Sequence, residues 1–232
     1  MQAERKPLGR KAYGSIGHIQ GSRLGPGDHT VHEGQGDLCI SKPHRNWRIV
    51  VQTKLDGSCV SAAKLEDGSI VALGRAGYLA STSNYEMHRV WDRWVKERLS
   101  DFDKLLSPGE RVVGEWLAQA HGTIYNLEDR EPFVAFDIME GSQRIIHEEF
   151  QERTKDLFAV PDYLYGPIDP LIAIDSLDVY GAEDPEGVVY RAEEYTKNGP
   201  KVQFLAKYVL DGKEDGKYLK ADPPIWNWQF EN

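Results

Sequence analysis

The chain has 232 residues, 40% of them hydrophobic, a net charge of −9 at pH 7 and two cysteines. That length allows one large domain or two small ones with a real core, while two cysteines exclude a disulfide framework and point to a reducing, cytoplasmic compartment. No run approaches the roughly 18 apolar residues of a membrane span, and the opening "MQAERKPLGRKAYG" lacks the apolar stretch of a signal peptide.

Residues 1–54 hold nine basic and four acidic side chains, a local +5 that leaves −14 for the rest. A basic face attracts phosphates even on an acidic protein. Arg10, Lys11, Arg23, Arg45 and Arg48 are therefore expected to supply part of a strand-binding face, the alternative being a solvated basic arm. Residues 1–46 read as a loop-rich N-terminal segment: Gly, Pro, Ser and His dominate 7–46, and "GSRLGPGD" cannot be helical. His18, His29, His32 and His44 fall here, without the Cys/His spacing of a metal site.

"WRIVVQTKLDG" reads as a strand ending in a turn, and "SCVSAAKLEDGSIVALG" as a hairpin with a type I′ turn at Asp67-Gly68. Residues 83–106 read as one long helix, started by a Ser83/Glu86 capping box and stopped by Pro108-Gly109. Met87, Val90, Trp91, Trp94, Val95, Leu99, Phe102 and Leu106 form its apolar stripe, which is core rather than a binding face. "RVVGEWLA" and "PFVAFDIM" are strands, "HEEFQERTKDLF" a helix, and "EGVVYR" and "VQFLAKYVL" two further strands after an irregular acidic stretch. The fold class is α+β, antiparallel β-sheets with flanking helices.

Several strands carry a charged or aromatic group in an apolar setting. These are Lys54-Leu55-Asp56-Gly57, Arg75 in "LGRAG", Glu115 in "GEW", Phe136-Asp137 in "AFDI", Glu186-Gly187 and Lys207 in "LAKY". Taken alone, each is an ordinary surface residue; Lys54 reads equally as a hairpin residue or as a nucleophile on a pocket floor.

In this order and spacing the set resembles the covalent nucleotidyltransferases: ATP-dependent RNA ligases, DNA ligases and mRNA-capping guanylyltransferases. "FVAFDI", "KAYGSIGHIQGSRLGPGD" and "AKYVLDGKEDGKYL" look most like the RNA ligase branch, particularly the RNA ligase 2 family, over residues 10–220. The resemblance implies one nucleotidyltransferase domain (an ATP-grasp-like ligase adenylylation domain) over 1–232. It implies that Lys54 attacks the α-phosphate of ATP to form lysyl-AMP. Lys207 would hold that phosphate, Glu115 accept from the ribose hydroxyls, Phe136 stack on adenine, and Arg75 meet the ribose or the incoming phosphate. Asp137 and Glu186 would organise Lys54 and bind Mg²⁺ or Mn²⁺, and Thr53, Asp56 and Gly57 would complete the nucleotide site. AMP would pass to an RNA or other polynucleotide 5′-phosphate end, and a 3′-hydroxyl would displace it. Only about one free lysine in 2,500 is neutral at pH 7, so burial, nearby Arg and Lys charges and the metal are expected to favour the neutral amine.

Two departures stand out. Leu205 occupies the place of the first lysine in the family's last Lys-x-Lys motif, with Lys201 and Lys217 as candidate replacements. Only 25 residues follow Lys207, too few for the OB or helical domain that these enzymes usually append. The absent OB domain counts against a capping enzyme. Both departures give some weight to a non-catalytic nucleotide- or nucleic-acid-binding module, against which Lys54, Glu115 and Glu186 stand intact.

Overall fold

Alternation along one strand organises the molecule. In β2 (Trp47–Lys54), Ile49 and Val51 belong to one apolar cluster, while Gln52 and Lys54 turn to the opposite face and line a cavity. The computed structural model describes residues 6–41, 43–182 and 184–229; Arg5 and Lys42 of the basic segment lie outside the described residues.

Two five-stranded sheets face each other. The first has the order β1-β10-β9-β2-β8, from β1 (Gly17–His18), β10 (Gly199–Val209), β9 (Gly187–Thr196), β2 and β8 (Tyr163–Tyr165). The second has the order β4-β3-β5-β6-β7, from β4 (Ile70–Gly74), β3 (Ser58–Lys64), β5 (Glu110–Trp116), β6 (Phe133–Glu140) and β7 (Gln143–Arg144). Every pairing is antiparallel except β1 with β10, which bears out the α+β class. The outer face of the first sheet is covered by α1 (Glu33–Ile40) and α5 (Pro170–Ser176), which bury Cys39, Ala173 and Ile174 against Ile49, Val188 and Tyr190. The second sheet is covered by α2 (Glu86–Glu97), α3 (Leu99–Leu105) and α4 (His147–Thr154). Trp91 stacks on Trp94 at 5.4 Å and meets Phe133 at 4.7 Å, so the tryptophans are core, as their spacing predicts.

Residues 83–106 do not form one helix. The chain breaks at Arg98 (φ −118°, ψ 26°), whose guanidinium lies 4.1 Å over the Trp94 ring and 2.8 Å from Glu131. The break turns Leu99 outward to 44% exposure, off the expected stripe. No Ser83/Glu86 capping box forms: the helix starts after Tyr85, and Ser83 Oγ instead accepts the Tyr85 N–H and contacts His88 Nδ1 at 2.8 Å. The β3–β4 turn is not type I′, because only Gly68 (φ +82°), not Asp67, takes positive φ; Asp67 accepts from Ser69 N–H instead. In the N-terminal segment the sequence reading missed α1, whose two glycines hide its period and whose cap is His32, paired reciprocally with Gln35. Both cysteines are free thiols. Among the described residues no helix is long and apolar enough to cross a membrane.

Candidate active site

Lys54 ends β2 opposite Gly187 of β9. A Cβ at Gly187 would collide with the Tyr208 carbonyl, so β10 packs directly on this point and fixes the preceding residue, Glu186. Glu186 Oε2 sits 2.6 Å from Lys54 Nζ. Beyond Lys54 the chain turns against the end of β5. A Cβ on Gly57 would lie 2.6 Å from Trp116 O, so only glycine lets the loop come this close. The Gly57 N–H then donates to Glu115 Oε1 at 3.1 Å, and the Asp56 N–H donates to Tyr125 Oη at 2.7 Å.

These residues open into a cavity of about 740 Å³ between the sheets, with Lys54, Asp56, Gly57, Arg75, Glu115, Phe136 and Lys207 all on its walls. Phe136 reaches it through a bulge: Ala135 pairs with Gly114 and Asp137 with Val113, leaving Phe136 as the extra residue of β6. Tyr13 packs edge-on against its ring at 5.2 Å. Arg75 is exposed and donates to Gly14 O at 3.1 Å.

Three site expectations need correction. Asp137 is not on the cavity wall. It is fully buried, and its oxygens accept from Tyr13 Oη (2.9 Å), Arg144 Nε (2.8 Å) and Arg191 Nη2 (2.5 Å). With both oxygens engaged, it ties the N-terminal segment and the two sheets together, away from the cavity wall where Lys54 sits. Thr53 reaches the cavity only with its main chain, since its hydroxyl donates to Asp178 O at 2.9 Å on the opposite face of β2. Neither expected lysine replaces Leu205: Lys201 lies 3.7 Å from Glu194, Lys217 sits 5.1 Å over the Tyr218 ring, and neither lines the cavity. The charged side chain next to Leu205 is its cross-strand partner, Arg191.

The electrostatics also differ from expectation. Burial pulls the Lys54 ammonium down, but Glu186, Glu115 and Asp56 outweigh it and hold the amine above the ordinary lysine range. The resting amine is thus protonated. Burial pushes Glu115 up to about 8, against the pull of Lys54 and with the push of Glu186 and Asp56. Glu186 is raised by burial despite Lys54. Lys207 is lowered by burial and by Lys54. Among the described residues no group of three or more His, Cys, Asp or Glu is placed to hold a metal ion. Of the two expected metal ligands only Glu186 stays next to Lys54, paired with it and off the cavity wall, so substrate phosphates would hold most of a Mg²⁺ or Mn²⁺ ion.

The sequence reading missed Arg191, and also His18 and Asp28, which lie beside Lys207. Arg191 was visible as a lone charge in the apolar run "GVVYRA"; His18, at the end of β1, stood out only as one of four histidines without metal-site spacing, and Asp28 sits in a loop whose composition carried no such signal.

A lysine clamped by a carboxylate lies on the floor of a cleft between antiparallel sheets and shares its walls with a second lysine and a phenylalanine ring. The RNA ligase family matches residues 48–209, and the chain belongs to that family. Among solved structures it is similar to an archaeal ATP-dependent RNA ligase, at 21% identity and a TM-score of 0.52 over 85% of this chain and 48% of that one. It is also similar to a variant of the Naegleria gruberi RNA ligase solved with ATP and Mn, at 17% identity and a TM-score of 0.51 over 86% of this chain and 60% of that one. At these identities the likeness is one of fold, and the chain spans about half the length of the archaeal enzyme. No protein with a curated description matches.

Proposed function

We propose that residues 1–232 act as one adenylyltransferase domain of an ATP-dependent RNA ligase, and that it works through a lysyl-AMP intermediate. The observation that carries this reading is Lys54 on the wall of a nucleotide-sized cavity, its Nζ held from behind by the buried Glu186 Oε2 at 2.6 Å. Lys54 Nζ forms a bond to the α-phosphorus of ATP as the bond to the pyrophosphate oxygen breaks. The ammonium first loses a proton, for which Glu186, raised by burial and already in contact, is the acceptor. Lys207 offsets charge on the α-phosphate, Phe136 stacks on adenine, and Glu115 accepts from the ribose. Arg75, exposed at the cavity wall, meets the ribose or the incoming phosphate. A Mg²⁺ or Mn²⁺ ion carried in on the nucleotide phosphates would supply charge neutralisation. A 5′-phosphate oxygen of RNA then bonds to the AMP phosphorus as the Lys54 N–P bond breaks and frees the lysine, and a 3′-hydroxyl afterwards displaces AMP. The two free thiols suit work in the cytoplasm.

Incubation with ATP and Mg²⁺ or Mn²⁺ should add the mass of one AMP, retained on a denaturing gel when the label is in the α-phosphate, and GTP should not substitute. Lys54→Ala and Lys54→Arg should both abolish the adduct, Arg because guanidinium stays protonated. An adduct on the Lys54→Ala protein would falsify the assignment.

A further inference from the structure

The N-terminal loop makes one contact with the site that the reaction scheme above leaves without a role. β1 runs parallel to β10 with His18 opposite Lys207, and the Ile19 N–H donates to Lys207 O at 2.9 Å. From there a chain of polar contacts leaves β10 and returns to it two residues away. The Val209 N–H donates to Ser22 Oγ at 2.9 Å. Ser22 Oγ lies 2.6 Å from His18 Nδ1. His18 Nε2 lies 3.1 Å from Asp28 Oδ2, which also accepts the Gly25 N–H at 2.9 Å. Asp28 Oδ1 faces Lys207 Nζ at 3.5 Å.

Ser22 Oγ accepts the Val209 N–H, lies against His18 Nδ1 and also faces Arg23 O at 3.4 Å, while the buried Nε2 of His18 meets Asp28 as a close polar neighbour without a hydrogen bond. His18 is 1% exposed, and burial together with Lys207 keeps its imidazole below the ordinary range, hence neutral, against the pull of Asp28. Asp28 Oδ2 is held by the Gly25 N–H and packs against His18, independently of the lysine that its other oxygen faces. A second tie pins the loop on its far side: Arg23 pairs with Asp215 at 2.5 Å. Neither His18 nor Asp28 lines the cavity, whereas Lys207 does.

Lys207 has a reason to need a fixed counter-ion. Its side chain is 19% exposed and lies in the field of a second ammonium, Lys54 on β2. Burial and Lys54 both favour the neutral amine; Glu186, before β9, and Asp28, from the loop, oppose them. A neutral Lys207 could not balance phosphate charge, and a charged one on a four-carbon stem has many orientations.

We propose that Asp28, held by the Gly25 N–H and packed against His18, is a positioning residue that keeps the Lys207 ammonium charged and aimed into the cavity. Its effect on catalysis rests on the adenylyltransferase reading; its effect on Lys207 does not, and two measurements separate them. The first is an NMR pH titration of the Lys207 side chain in the nucleotide-free chain, assigned with Lys207→Arg. Asp28→Asn should lower the Lys207 pKa by about one pH unit, the usual scale for loss of one nearby opposite charge, and Asp28→Glu should restore it. His18→Gln, which leaves the carboxylate but loosens its packing, should shift it the same way and less, and serves if Asp28→Asn fails to fold. The second is the pH profile of lysyl-AMP formation at saturating ATP, whose alkaline limb should move down by the same amount in Asp28→Asn. An unmoved Lys207 titration in Asp28→Asn overturns the proposal. So does faster adenylylation at every pH, which would make Asp28 a competitor for the lysine. A shifted titration in a chain that never forms an adduct would instead sustain the coupling and sink the functional reading.

Discussion

Glu115 shows at the scale of one residue what this site costs the fold. It shares the cavity with Lys54 and Asp56, and burial, opposed by Lys54 and aided by Glu186 and Asp56, raises it to about 8. An unfolded glutamate titrates near 4.3. Across the window between those values the folded chain holds more protons than the unfolded one, so stability falls as pH rises. Glu186, raised in the same direction, adds to the fall. The Lys54 shift has the opposite character: it stabilises below the unfolded lysine pKa, and that contribution is lost only in strong alkali. The expected outcome is a thermal midpoint that drops between pH 5 and pH 8.5, with a shallower drop in Glu115→Gln. The amide oxygen of Gln can still accept the Gly57 N–H that Glu115 Oε1 accepts, so the turn itself is retained. Equal slopes in the two proteins would show that Glu115 is ionised throughout.

Between elements, packing decides where each side chain goes, and here the sequence was legible only in part. Period-two and helical apolar patterns located the main strands and the aromatic core, and the charged strand ends located the cavity, because those signals are local. Thr53 was legible in principle: if Lys54 faces the cavity, its neighbour on an extended strand faces away. The β6 bulge, the break at Arg98 and the engagement of Asp137 were not legible, since each depends on residues distant in the chain. Val113 and Gly114 set the bulge, Glu131 holds Arg98, and Tyr13 and Arg191 take the Asp137 oxygens. Two substitutions test this division of labour. Trp94→Ala empties the middle of the aromatic core, where Trp94 is 1% exposed, and should cost about 3–5 kcal/mol in urea denaturation; a loss under 1 kcal/mol (roughly, the cost of a surface change) would mean that the core refills. Gly57→Ala lies at the site instead. Its Cβ meets Trp116 O at 2.6 Å and Leu117 Cδ2 at 3.0 Å, so the loop carrying Asp56 must shift. Adenylylation should fall at least tenfold (about 1.4 kcal/mol in the barrier) in a variant that still folds; wild-type rates would show that the close approach is incidental.

Across the whole molecule the basic N-terminal segment divides into two groups that the sequence alone treats alike. Arg48 lies on β2 six residues before Lys54, about 20 Å away at the rise of an extended strand. It is occupied there by Glu148 at 3.2 Å and by the rings of Tyr195 and Tyr165 at 4.8 and 5.4 Å. Arg23 is held by Asp215. Arg10 and Lys11 are exposed and immediately precede Ala12 and Tyr13, whose N–H groups donate to Arg75 O at 3.1 and 3.2 Å. Tyr13 and the exposed Arg75 line the cavity at its opening; Arg10 and Lys11 precede Tyr13 closely in the chain, with the Arg10 guanidinium turned toward Gly141 and Arg111. Under the proposed function an RNA end must approach Lys54 through that opening, and phosphate contacts there would release counterions. Replacing Arg10 and Lys11 together by Ala should weaken joining of RNA with a pre-adenylylated 5′ end and reduce the log–log salt slope by about 1.4, at ~0.7 per single-strand phosphate contact. The Arg45→Ala, Arg48→Ala pair should leave both quantities unchanged, and neither pair should alter self-adenylylation, whose residues lie deeper in the cleft. The reverse result, a slope that falls only when Arg45 and Arg48 are removed, would place the strand at the far end of β2 and leave Arg10 and Lys11 as solvated charge.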